Sequence, residues 1–412
     1  MRRNEKTHSP LRRHLLKAGG YGMALGAMQA GGLSPWLANA AAATNGTGSG
    51  KILVVLELSG GNDGLNTLVP YGDDAYYRHR PKLGIRESKV RKIDQHFGFN
   101  PDMAGMERLY KDGKMAIFHG CGYAQPSFSH FTSMAYWHTA APNSGEQLGW
   151  LGRVADAVDP QVTPNYVVNI DESQSLAVVA RHHVPVVFDD PQQFGRKGLY
   201  QERPVLEATR VASANMNDMQ RYLLGIAKSA QEASEQVRIA CANYKTPVDY
   251  GITSLDLQKV AALIDAGMDT RLYYTSFRHN AFDTHVQQSN LHQRLLTYYS
   301  DAVAGFFADM DRIGRGDDVV MLVFSEFGRR VAENTNLGTD HGTANHMYLI
   351  GNAVRGGHYG TPSSLTELDE GGNLVYTTDF RRVYATAISG WLGYTNTDAL
   401  LKGQFEPFPA LA

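Results

Sequence analysis

Apolar residues along this chain fall into two rhythms, short unbroken runs and longer stretches at helical spacing. Lys51 to Leu58 (KILVVLEL), Met115 to His119 (MAIFH) and residues 319–324 (VVMLVF) are unbroken runs of β-branched and large residues. Such runs predict strands buried on both faces. Met347 to Ile350 is a further apolar run, and Thr270 to Phe277 (TRLYYTSF) reads as strand. The second rhythm predicts helices. Met103, Met106, Leu109 and Tyr110 mark one within 99–113, with Asn100 as N-cap and Gly113 as C-cap. Val260, Leu263 and Ile264 mark another over Leu255 to Met268. Leu295, Leu296, Tyr299, Val303, Phe306, Phe307 and Met310 make Leu291 to Met310 a long amphipathic helix. Ser129 to Trp137 reads as a helix start, and Phe380 to Leu392 as a helix. Together these patterns predict an α/β domain.

The chemistry-bearing residues follow the apolar runs. Gly60-Gly61-Asn62-Asp63-Gly64 comes directly after the first strand, where glycines let a backbone approach a ligand closely. Leu65 to Pro70 reads as more extended chain rather than a helix, which argues against a phosphate-cradling nucleotide loop. Asp283 and His285 follow the Thr270–Phe277 run, and two positions apart on extended chain they point to one side. Glu326 and Arg329 stand where 319–324 emerges, and Asp340 and His341 lie in the polar loop beyond. In open α/β sheets ligands bind at the carboxyl ends of the strands. If parallel strands bring these ends to one edge, the clusters converge. Oxygen and imidazole donors without thiolate suit one or two divalent ions, whether zinc, manganese, iron or magnesium. Ser129 at a helix N-terminus is either a cap or a nucleophile whose partner rests against the helix dipole, with Ser127 as a fallback. His130 beside it would orient a substrate oxygen or give a proton, and Arg329 would clamp an anion.

Composition narrows the class. A net charge of −2 lacks the basic excess that a nucleic-acid partner requires. Cys121 and Cys241 fit neither a disulfide framework nor a zinc-finger spacing; an exported protein could join them in one long-range disulfide, but two free, mostly buried thiols are expected. Residues 1–43 read as a leader, with Arg12-Arg13 followed by leucines and Lys17, and a small-residue cleavage site near Ala38-Asn39-Ala40. This is a twin-arginine pattern, implying the twin-arginine export machinery as partner and a periplasmic or secreted protein. The glycine-rich 18–37 stretch is too weakly apolar for a stable membrane span. Residues 44–50 read as a linker, 51–395 as the domain with 150–250 as an insertion or cap, and 396–412 as a surface tail.

The blocks Gly60–Asn66, Ser129-His130-Phe131, Phe282–His285, Ser325–Arg329 and Gly338–Gly342 resemble the signatures of the domain-of-unknown-function family 1501, exported bacterial proteins. That family is similar, more distantly, to the alkaline phosphatase and sulfatase superfamily. The resemblance implies a three-layer α/β/α fold with a largely parallel sheet. It also implies a metal-dependent hydrolase of a small-molecule or polymer-linked phosphate or sulfate ester. By the same resemblance Ser129 is the nucleophile, and Asp63, Asp283, His285, Glu326 and His341 are metal ligands. Asp63 departs from the pattern by lying five residues past Leu58, and Phe327 stands where a metal-binding His often follows the acid. The rival reading is a non-catalytic binding or assembly protein on the same fold.

Overall fold

The computed structural model describes residues 50–194 and 233–411. The leader, most of the linker and the middle of the expected insertion lie outside them. The strands, in chain order, are β1 (Ile52–Leu58), β2 (Leu68–Val69), β3 (Arg91–Lys92), β4 (Gly98–Phe99), β5 (Met115–Gly122) and β6 (Val167–Ile170). They continue with β7 (Val186–Phe188), β8 (Leu272–Phe277), β9 (Val319–Phe324), β10 (Asn345–Ile350), β11 (Gly357–Tyr359) and β12 (Thr378–Asp379). A nine-stranded sheet runs β11-β5-β10-β9-β1-β8-β6-β7, with β12 paired to β5. All its pairings are parallel except those of β10, which is antiparallel to both β5 and β9.

The unbroken apolar runs are explained by two cores, one on each face of the sheet. Alternate residues of β1 divide between them, with Val54 and Leu56 on one side and Leu53 and Val55 on the other, all fully buried. Each such aliphatic side chain contributes about 1.5–3 kcal/mol of burial. The first core is covered by the helices Ala104–Lys111, Leu257–Asp265 and Gln288–Arg312. The second is covered by His130–Thr139, Trp150–Val158 and Phe380–Ala385. The result is three layers, α/β/α.

Three expectations need correction. Gly64–Thr67 is a short buried helix before β2, not extended chain, because Asp63 O accepts from both Asn66 N and Thr67 N. The first part of the expected insertion supplies β6 and β7, which lengthen the main sheet beyond β8. Those strands are only three or four residues long, too short to stand out as runs. The C-terminal segment is more than a surface tail: Leu400, Leu401 and Ala410 are buried in the second core, and Leu411 bridges to Val354. Cys121 is buried, Cys241 is half-buried, and both are free, as expected. Among the described residues no helix is long and apolar enough to cross a membrane.

Candidate metal centre

Strands β5, β9, β1 and β8 point the same way, so the loops leaving them share one edge of the sheet. Because β10 is antiparallel to β9, the loop joining them leaves and returns at that edge. Glu326 and His341 therefore meet there although the loop between them is long. The exit loops of β1 and β9 are stitched together. Ser325 Oγ donates to Leu58 O (2.7 Å) and accepts from Asn62 N (2.9 Å), and Gly60 N donates to Glu326 Oε1 (2.9 Å). Gly61 has φ +70°, and a Cβ there would lie 2.2 Å from the Phe327 ring, so only glycine fits.

Around this seam His130, Asp283 and His341 bring donor atoms within 4.8 Å of one another. His341 Nε2 lies 3.1 Å from Asp283 Oδ1, and His130 Nε2 lies 3.4 Å from Asp283 Oδ2. His285 Nε2 is 3.0 Å from Asp283 Oδ1 and 2.9 Å from His341 Nε2. Each imidazole is held from behind through Nδ1. His130 Nδ1 meets Glu326 Oε1 at 2.8 Å, His341 Nδ1 meets Phe128 O at 2.6 Å, and His285 Nδ1 meets Asp340 Oδ1 at 3.1 Å. Those acceptors put the proton on Nδ1 and turn the Nε2 lone pairs toward Asp283, the arrangement that metal-binding histidines use. Two facing lone pairs at 2.9 Å repel unless a proton or cation lies between them. His130 Nε2, moreover, is buried without a hydrogen-bond partner. Two imidazole nitrogens on one tetrahedral zinc stand about 3.3 Å apart, given bonds of about 2.0–2.1 Å. The donor set fits a divalent ion.

The electrostatics agree. Burial would raise the Asp283 carboxyl, but the Arg329 and His341 hydrogen bonds and the Arg329 charge bring it down to about 2. Burial works against a charged His130, yet the Glu326 hydrogen bond and charge outweigh it and lift its pKa. Burial depresses His341, despite its bonds to Phe128 and Asp283. Phe327 is buried between His130 and His341, with ring centroids at 4.9 and 4.7 Å, and forms a dry wall behind them.

Several expected site residues sit differently. Asp63 is fully buried, its Oδ2 paired with Arg80 Nη1 at 2.6 Å and bonded by Gln288 Nε2 at 2.5 Å, while its Oδ1 has no hydrogen-bond partner. Glu326 stands behind His130, and Asp340 behind His285. Ser129 is an exposed N-cap whose Oγ accepts from Thr132 N at 3.5 Å. Arg329 is buried and saturated. It donates to Gly61 O, Gly60 O, Phe282 O, Thr339 O and Asp283 Oδ1, and so ties three loops together rather than presenting a free clamp.

Supporting residues escaped sequence reasoning. Arg80 and Gln288 hold Asp63. Thr339 Oγ1 donates to Gln288 Oε1 at 2.6 Å, and Asn334 Nδ2 donates to Asp340 Oδ1 at 3.0 Å. Arg80, Gln288 and Asn334 belong to no signature block, Thr339 lies inside the Gly338–Gly342 block without having been singled out, and the Phe128 carbonyl carries no sequence signal at all.

The chain matches the family described as protein of unknown function (DUF1501) over residues 50–374, and it belongs to that family. No curated protein matches it. Among solved structures it is similar to a protein in the alkaline phosphatase superfamily from Vibrio parahaemolyticus, at 11% identity and TM-score 0.36. That likeness covers 75% of this chain and 62% of the other, so the chain spans less than two thirds of that neighbour. The PsFucS1 sulfatase from Pseudoalteromonas sp. is similar at 11% identity and TM-score 0.38, over 89% of this chain and 73% of that one. The lipoteichoic acid synthase LtaP from Listeria monocytogenes is similar at 10% identity and TM-score 0.38, over 86% and 74%.

Proposed function

We propose that this member of the DUF1501 family is an exported, metal-dependent hydrolase of a phosphate or sulfate ester. The observation that carries the reading is the convergence of His130, Asp283 and His341, with His285 adjoining, at the carboxyl edge of the sheet. His130, Asp283, His285 and His341 would hold the ion. Bound there, a divalent ion supplies positive charge to polarise an ester oxygen and to stabilise the negative charge that develops in hydrolysis.

The chain's own residues prepare the site. Glu326 and Asp340 fix the imidazole tautomers and ring planes. Arg329 keeps Asp283 ionised and pins the β1 exit loop against the centre. Phe327 excludes water from the rear. Ser129 lies one residue from His130 at a helix N-terminus, where an anionic group is favoured by the dipole and unpaired N–H groups. For attack its hydroxyl would exchange the cap bond to Thr132 N for the substrate. The ester is small or polymer-linked, and the leader would deliver the folded protein through the twin-arginine machinery to the periplasm or beyond.

Two observations favour the rival, a binding or assembly protein with a degenerate site. Ser129 Oγ is engaged as a cap, and Phe327, which the family resemblance sets where a metal-binding His often follows the acid, packs on His130 instead. Elemental analysis of the purified wild type and of an Asp283→Ala, His285→Ala double variant decides the metal. Stoichiometric metal lost in the variant supports the centre, and no metal in a folded wild type sinks it. A phosphate and sulfate ester panel on the loaded protein, with Ser129→Ala beside it, separates the readings. Turnover abolished by that change supports the hydrolase; no turnover in either supports the binding protein.

A further inference from the structure

A second group of histidines lies apart from that centre, at the β11 end of the sheet. His119 is on β5, His346 on β10 and His358 on β11, while Asp94 and His96 sit in the turn between β3 and β4. His119 is 1% exposed, and its Nε2 lies 2.7 Å from His358 Nδ1. Asp94 Oδ2 lies 3.1 Å from His358 Nε2. That carboxylate favours the His358 proton on Nε2 by its charge, although no hydrogen bond joins the two atoms, and so leaves the Nδ1 lone pair facing His119. The cluster is not closed by protein groups. The Nδ1 atoms of both His119 and His346 are buried without a hydrogen-bond partner. The two rings meet edge to face at 5.2 Å, and Phe97 packs on His119 at 4.8 Å and on His358 at 5.5 Å.

The cluster opens to solvent. A cleft of about 510 Å³ is lined by Asp94, His96, Phe97, His119 and His358. A narrower cavity of about 40 Å³ shares His96 and Phe97 with it and has His346 and Arg329 in its wall. The narrower one is roomy enough for a water molecule, and the cleft for a ligand. Burial holds His119 down to about 2 and His346 to about 4, so both imidazoles are neutral. Neutral imidazole is the form that binds metal.

We infer that this cleft is a second, separate metal site, in which His119 and His358 hold one divalent transition-metal ion of the zinc or copper class. His96 at the mouth and solvent complete the coordination. Two donors are in place and the third comes from the exposed turn. The His119–His358 pair must open by roughly half an ångström to reach the ~3.3 Å separation of two nitrogens on one ion. His358 is on the short edge strand β11, only partly buried, and can make that move. Aliphatic and aromatic walls with imidazole donors favour zinc or copper over magnesium or calcium, which require oxygen. The site shares no residue with the centre around Asp283.

The test uses untagged, purified protein dialysed against Zn²⁺ or Cu²⁺, with metal counted by elemental analysis. His341→Ala is expected to lose the ion of the first centre and keep one equivalent. His358→Ala is expected to keep the first and lose that second equivalent, with an unchanged circular dichroism spectrum. In the His341→Ala background, nitrogen hyperfine structure should appear in the Cu²⁺ spectrum and vanish when His358 is also replaced. Asp94→Asn should weaken this ion about 10–100-fold without touching the first centre. The inference is overturned if His341→Ala takes up no ion, or if the ion it takes up survives His358→Ala.

Discussion

Asp63→Asn separates two roles for one carboxylate. The family resemblance makes Asp63 a metal ligand, whereas the fold buries it completely against Arg80, also fully buried, at 2.6 Å. Burial would raise the Asp63 carboxyl, but the Arg80 charge and hydrogen bond hold it below its ordinary value. The amide keeps the side-chain volume, so no cavity forms. What is lost is the counter-ion of Arg80, and breaking one half of a buried pair costs about 3–5 kcal/mol. Arg80 keeps hydrogen bonds to Val331 O, Arg330 O and Asn66 Oδ1, which places the expectation at the lower end, ~3 kcal/mol. With a guanidinium dependence of roughly 6 kcal/mol per molar, the unfolding midpoint falls by about 0.5 M. Trp137, Trp150 and Trp391 are buried in the second core and report the transition by fluorescence. Because the folded pKa is depressed, this stabilisation is present above the unfolded value of 3.8 and is lost as pH falls through the folded one. Wild type and variant therefore differ fully at pH 7 and converge in acid. The folded variant should keep its metal. A loss under about 1 kcal/mol, well below the range for a broken buried pair, would refute the structural role. A folded variant stripped of metal would restore Asp63 as a ligand.

Other outcomes follow from the same geometry. Gly61→Ala should destabilise by about 1–2 kcal/mol from its left-handed φ alone, plus its clash with Phe327. A denaturation cycle with Phe327→Ala should recover the clash part. Arg329→Met should raise the Asp283 carboxyl above its value of about 2 and loosen the site, seen as metal lost at higher pH than in wild type during acid titration. His183 lies 3.0 Å from both Asp156 and Asp159. Burial opposes its charge, yet these two carboxylates lift its pKa. Its contribution is thus full below the unfolded value of 6.5 and lost as pH rises through the folded one. The melting-temperature gap between wild type and His183→Gln should be wide at pH 6 and narrow at pH 9. Ser129→Ala should cost about 0.5–2 kcal/mol as a lost cap in unfolding experiments, whatever its effect on turnover.

The amino-acid pattern by itself determined the α/β class, the major buried strands, the long helix now seen at Gln288–Arg312, and the sheet edge at which the chemistry gathers. Those features are local: a doubly buried strand must be apolar at every position, and an amphipathic helix must repeat at its own period. Asp283, His285 and His341 were legible for the same reason, since each follows a recognisable run. Only the tertiary structure decided which donors face one point. Asp63 and Asp283 are both acids just past parallel strands, yet one is claimed by Arg80 and Gln288 and the other by Arg329 and the imidazoles. That choice depends on side chains far apart in sequence meeting across β1, β8 and β9. His130 gained a donor's place because the Glu326 carboxylate stands behind it, a contact spanning 196 positions. The histidines of the β11 edge were invisible in sequence for the same reason. His119, His346 and His358 share no spacing, and only the pairing of β5 with β10 and β11 brings their rings together.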